Sequence, residues 1–201
     1  MIQSVFNFYK SAIIGEWCGK GICENYRAEW KKIADDKKKL VAFSLRQQSI
    51  PYFATACHKK VGLTRQQILS EFGKYINGYT IHNADKVKGY TYGLYVDFNP
   101  NDDLIVDKDV VHIMWTVGAT MVVPQTKCPT IYISNKSNVH LVCEGYNSPT
   151  VYLFDNSHVT IEDFDQDCSI LIYKYSDNCS VDFGKFCLSN RIKIHTKELR
   201  L

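Results

Sequence analysis

Two successive stretches decide the fold: TIYISNKSNVHLVCEGYNSP (Thr130–Pro149) and TVYLFDNSHVTIEDFDQDCS (Thr150–Ser169). Each is twenty residues long, and apolar residues return at matching places in both. One row reads Val111, Ile131, Val151, and a second Ile113, Ile133, Leu153. Further along the coil run Ala119, Val139, Val159, Cys179 and then Met121, Leu141, Ile161, Val181. A fifth row of small or apolar residues is Cys128, Ser148, Cys168, Leu188. Apolar residues two apart share one face of a pleat. A period of twenty therefore stacks equal positions above one another, the mark of a β-solenoid whose coils bury their cores only against neighbours.

Polar turns separate these strands: Ser134-Asn135-Lys136-Ser137-Asn138, Asp155-Asn156-Ser157 and Ser176-Asp177-Asn178. Such residues tolerate left-handed corners and bond their own backbone. Thr130, Thr150 and Ser169 precede strands in matching positions, and Ser137 and Ser157 occupy matching turns. In the last coil the pattern places the first strand one residue early, at Ile170 and Ile172, with a compensating insertion after it. Ile192-Lys193-Ile194 reads as a final strand whose Lys193, His195, Lys197 and Arg200 protect an open edge. A β-sandwich with evenly spaced strands is the competing architecture.

Upstream the pattern is helical. Val5, Phe6, Tyr9, Ile13 and then Ile22, Tyr26, Trp30, Ile33 recur at three- and four-residue spacing. Asp35-Asp36 opens a third helix through Leu40, Val41, Phe43 and Leu45, ending near Ile50-Pro51. The clearest helix starts at Thr64, where Thr64 and Gln67 form a capping box, and closes at Asn77-Gly78. The expected class is thus α+β: a helical domain over 1–84, an extended linker or first strands over 85–108, and a β-solenoid over 109–201 with coils of about 20 residues.

The chain has 201 residues, 45% hydrophobic and 22% charged, which excludes a disordered or fibrous protein. No apolar run reaches the length of a membrane span, so no membrane partner is expected. Residues 1–14 alternate with polar groups too often for a signal peptide. The eight cysteines are accordingly expected as reduced, mostly buried thiols in a cytoplasmic protein. Charge is uneven: residues 1–100 hold 15 Lys+Arg against 8 Asp+Glu, and residues 101–201 hold 9 against 13. Ordinary solvated helix faces explain such a basic half, and an acidic partner also fits it.

Chemical motifs are sparse. Glu162, Asp163, Asp165 and Asp167 lie close enough for a calcium site, but the glycines of calcium-binding β-helix repeats are missing, so a solvated acidic turn is expected. Asp97-Phe98-Asn99-Pro100-Asn101 opens like a calcium loop and fails at Asp102 and Lys108. Cys18, Cys23 and Cys57-His58 do not complete a zinc set, and no metal or other cofactor is expected. No phosphate loop, nucleophile elbow or dinucleotide fingerprint occurs, and no catalytic residue is assigned.

Two groups of residues suit binding. Lys31, Lys32, Lys37, Lys38, Lys39 and Arg46 can contact phosphates, with Tyr26 and Trp30 able to stack on bases or to pack in a core. On the solenoid's outer face, Tyr132 stands beside Tyr152 with His112 and Leu171 in the same row. An exposed aromatic row favours self-association or a protein partner, unless the helices cover it.

The layout resembles uncharacterised proteins of gut Bacteroidales phages and their prophages, in which a short helical region with a Phe-Tyr start precedes an Asn/Ser-cornered solenoid. The residues carrying the likeness are Phe8-Tyr9-Lys10, Tyr75-Ile76-Asn77-Gly78, Gly93-Leu94-Tyr95-Val96 and the repeats after Val110. The resemblance implies a viral or mobile-element origin and supplies no active site. The expected function is that of a non-enzymatic phage or mobile-element protein, a virion or assembly component acting through protein contacts of its solenoid, with a partner protein or with itself as a homo-oligomer. Alternatives are an inhibitor of a host defence protein, of the anti-CRISPR type, and a nucleic-acid binder using the basic half. The expected setting is the host cytoplasm or the virion.

Overall fold

A computed structural model of the chain describes Lys32 and residues 64–73, 91–98, 103–187 and 189–197. Helix α1 (Arg65–Phe72) starts directly after Thr64, where a capping threonine belongs. The expected close at Asn77-Gly78, the three earlier helices and all of the basic cluster except Lys32 lie outside the described residues. Lys32 is exposed and helical. No helix among the described residues is long and apolar enough to cross a membrane.

The remainder is a two-sheet parallel β-solenoid of about five coils. Strands alternate between the sheets along the chain. Sheet 1 stacks β1 (Tyr92–Val96), β3 (Val110–Met114), β5 (Thr130–Ser134), β7 (Thr150–Leu153), β9 (Ile170–Lys174) and β11 (Ile192–Thr196) in that order. Sheet 2 stacks β2 (Asp103–Ile105), β4 (Val117–Val123), β6 (Asn138–Cys143), β8 (His158–Asp163) and β10 (Ser180–Phe183). Every pairing among the described strands is parallel, which excludes an antiparallel sandwich for this region.

The core is the set of columns that the period requires. Val111, Ile131 and Val151 stack in sheet 1, as do Ile113, Ile133 and Leu153. In sheet 2, Ala119 stacks on Val139 and Val159, and Met121 on Leu141 and Ile161. All twelve are at most 1% exposed. At about 25 cal/mol per Å² of apolar surface, these stacked side chains are the main stabilising contribution. No single coil could bury them alone.

The turn between sheets has a recurring left-handed residue. Asp97, Trp115, Asn135 and Asp155 follow β1, β3, β5 and β7 at equivalent places, with φ of 56°, 49°, 57° and 57°. Asp and Asn suit that conformation, whereas Trp115 holds it against its own preference. Directly behind them, buried Thr116, Ser137, Ser157 and Cys179 form a column of hydroxyls closed by a thiol. Ser137 Oγ donates to Ser134 O at 2.6 Å, and Ser157 Oγ donates to Phe154 O at 2.7 Å. Ser137 Oγ also accepts the Thr116 amide at 3.1 Å. The matching serines thus close each corner and tie it to the next coil, satisfying groups that burial would otherwise leave unpaired.

The last coil departs from the expected register. Ile172 lies against Val151 and Leu171 against Thr150, so β9 comes one residue late rather than early. Val181 lies under Val159 and Phe183 under Ile161. Cys179 and Val181 therefore do not continue the rows that end at Val159 and Ile161. Cys168 meets Asn147 through a thiol–amide contact, not Ser148, and Ser169 is not the equivalent of Thr150. The physical reason is parity. Residues two apart face the same way, so apolar alternation fixes the inward face but not the rung. The turns decide the rung, and the turn after Asp163 holds one more residue than the one after Cys143. A second irregularity lies in β4, where Gly118 at φ 81° is the extra residue of a bulge between Val117 and Ala119.

Candidate contact face

Sheet 1 turns an unbroken ladder of rings outward. His112, Tyr132, Tyr152, Tyr173 and His195 occupy register-equivalent positions on β3, β5, β7, β9 and β11. Neighbouring ring centroids lie 5.8, 5.4, 5.1 and 5.4 Å apart down this column. The upper contacts are edge-on or tilted, and the lower two are stacked. Phe154 and Tyr175 form a second, shorter stack at 5.2 Å. Strand spacing of about 4.8 Å makes such stacking the natural outcome of one aromatic per coil.

The row predicted from sequence is present, with one replacement: Tyr173, not Leu171, continues it. That error follows from the register of the last coil. Aligning the tyrosines 132, 152 and 173 instead of the isoleucines would have found both the late strand and the full ladder.

Exposure changes along the ladder. His112 and Tyr132 are each 1% exposed, and Ser134 and Phe154 are also buried. Tyr152, Tyr173 and Tyr175 are half-buried, and His195 and Lys197 are exposed. Of the three residues expected to make contacts, only Tyr152 is therefore accessible. Tyr132 and His112 support the fold instead. His112 Nε2 lies 2.8 Å from Ser134 Oγ, and burial lowers its pKa to about 3, so the imidazole is neutral. Burial, and then the neighbouring Tyr173 and Tyr175, raise the pKa of the Tyr152 phenol. Lys197 Nζ sits 5.1 Å from the Tyr173 ring centre, a cation over a π face at the ladder's lower end.

The outer face of sheet 2 carries a polar row beside the aliphatic row of Ile105, Val122 and Val142. His158 Nδ1 is 2.7 Å from Ser180 Oγ, while its Nε2 lies 3.1 Å from Thr160 Oγ1 and 3.6 Å from Asp182. Serine, histidine and aspartate are the ingredients of a hydrolytic triad. Here they lie across an open sheet, and the Ser180 amide is spent on Ser157 O rather than aimed at an oxyanion. The arrangement is a cross-strand polar row.

The acidic turn is solvated at Asp165, whereas Asp163 is withdrawn from water. Asp163 occupies an inward position beneath Cys143, is buried, and accepts the Cys168 amide at 3.1 Å. Asp165 accepts the Gly145 amide at 2.8 Å, and Asp167 pairs with Arg191 at 3.4 Å. The carboxylates thus face three different partners. No group of three or more His, Cys, Asp or Glu suited to a metal occurs among the described residues. Cys143, Cys168 and Cys179 are buried free thiols, Cys187 is partly buried and Cys128 is exposed. A hydrogen bond with Cys168, and then burial, push the Cys143 thiol up, so it is not a nucleophile at neutral pH. Cys18, Cys23 and Cys57 lie outside the described residues.

No protein-family model, curated protein or solved structure matches the chain.

Proposed function

We propose that this protein is a non-enzymatic binding module whose solenoid holds a partner protein on the lower half of the aromatic face. The observation that carries this reading is the ladder's split exposure: one continuous column of rings, buried above and open below. Half-buried tyrosines offer apolar area at low entropic cost, with hydroxyls for hydrogen bonding, which is the chemistry of protein-binding hot spots. His195 and Lys197 beside them favour a partner with an acidic rim. A virion or assembly role is consistent with such a rigid module.

The stacking itself argues against bases or sugars on this face. Tyr152 and Tyr173 lie within 20° of parallel at 5.1 Å, so much of each π face is already covered by its neighbour. A stacking ligand needs an open face.

The test is affinity capture from nuclease-treated lysate, with the wild type and a Tyr152→Ser/Tyr173→Ser/Tyr175→Ser variant in parallel. A protein retained in stoichiometric amount by the wild type and lost by the variant is the expected result. Equal recovery by both would remove this face from the interface.

A further inference from the structure

We infer that the C-terminal end of the solenoid joins a second copy of this chain end to end, with β11 of each copy pairing antiparallel with β10 of the other. This inference is independent of the aromatic face.

The end is built like a cut section of the core. Phe183 lies under Ile161 and Ile194 under Ile172, yet Phe183 is 44% and Ile194 43% exposed, whereas the residues above them are fully buried. Phe164 and Phe186 meet at 5.5 Å beside this end, and both are largely exposed. An exposed apolar patch of this kind marks an interaction site.

Among the described residues the edges of the last two strands are open in a specific way. The amides of Ser180 and Gly184 donate back to Ser157 O and Ile161 O, so by alternation the backbone groups of Val181 and Phe183 point to the free edge. In β11 the Lys197 amide donates to Lys174 O, which leaves the groups of Ile192 and Ile194 on the free edge. These four are also the residues whose side chains face the core. Pairing Val181 with Ile194 and Phe183 with Ile192 therefore satisfies backbone and core together. The same register sets Asp182 opposite Lys193 and Ser180 opposite His195 on the outer surface.

Charge selects the partner edge. A chain that re-enters sheet 1 in the same direction once per coil has to run back along sheet 2, so a twofold axis along the strands brings β11 against the partner's β10. An axis along the sheet normal would instead bring β11 against β11, placing Lys193 and His195 of the two copies together. Like charges facing across an antiparallel pair are destabilising, and edge lysines commonly block such pairing. The Asp182 carboxylate, 71% exposed, complements the basic strand. The basic residues expected to protect the edge thus exclude one pairing and favour the other.

Light scattering and sedimentation of the full chain test this. The wild type should show twice the mass of one chain. Asp182→Lys should raise the dissociation constant by at least about tenfold, and adding Lys193→Asp should restore it. Ile194→Glu should give a single-chain mass with an unchanged circular dichroism spectrum. A wild type that stays single at all concentrations would overturn the inference. So would a dimer indifferent to Asp182→Lys and Ile194→Glu, or a double charge swap that fails to restore it.

Discussion

The inner four coils and the last coil carry the same columns but meet different surroundings. Met121, Leu141 and Ile161 are sandwiched from both sides and fully buried, whereas Phe183 continues their column with no described strand beneath it. The neighbouring column ends differently: Ile113, Ile133 and Leu153 give way to Lys174 and Thr196. The last coil therefore closes part of the core with polar residues and leaves part apolar. In a repeat protein, terminal units must cap the stack or pass it on to another surface.

The largest expected effect lies in the middle of the stack. Val159→Asp places a carboxylate between Val139 and Val181 with no partner, and should destabilise by about 4 kcal/mol or more. Loss of the cooperative thermal transition would report it, and an unchanged melting temperature would break the assigned register. Within one column, Ile161→Ala should cost about 3 kcal/mol. Phe183→Ala should cost under about 1 kcal/mol in the monomer, because its side chain is already half in water. Equal losses by denaturant unfolding would mean that the last coil is not open.

The aromatic ladder supplies the same contrast on the outer surface. Tyr132→Ala removes a buried ring and should cost about 3 kcal/mol, whereas Tyr173→Ala should cost about 1 kcal/mol. His112 adds a pH dependence to the buried half. Its folded pKa of about 3 lies below the ordinary 6.5, so below pH 6.5 the unfolded chain takes up a proton that the folded chain refuses. Stability should therefore fall as the pH drops from 6.5 towards 3, by about 1.4 kcal/mol per unit from this group. His112→Gln should flatten that part of the profile. An unchanged slope would place the acid sensitivity elsewhere.

Most of the solenoid was legible because its determinants are local and repeated. The inward face of each strand, the twenty-residue step over Val111–Ile161 and the serine corners at 137 and 157 all follow from alternation and turn chemistry. The first coil was not, since Tyr92 to Val110 spans 18 residues and Asp103 to Thr120 spans 17, too far from the repeat to join it by period alone. The last coil misled because Ile170 and Ile172 both face inward, so the alternation fits two rungs equally well. The contact face depended on that register, and exposure along the ladder depends on packing that no periodicity encodes. Gly118 gave no sign of its bulge.

Asp163 gives the smallest effect and the sharpest test of how the inward columns are filled. It stands below Val106, Val123 and Cys143, a position where an aliphatic side chain would be expected. Burial raises its pKa, opposed in part by the backbone donors of Cys168, Gln166 and Asp167. A folded pKa above the unfolded value means that the folded chain holds its proton more tightly. Stability from this group is then full at acid pH and is lost as the pH rises through the folded pKa. Asp163→Asn keeps an oxygen for the Cys168 amide and abolishes the charge. It should raise stability at pH 7 by up to about 1 kcal/mol, a gain that disappears below pH 4. A loss at pH 7 would show instead that the carboxylate's hydrogen bonds outweigh its burial, and that the charge helps to hold the turn that sets the last coil one residue late.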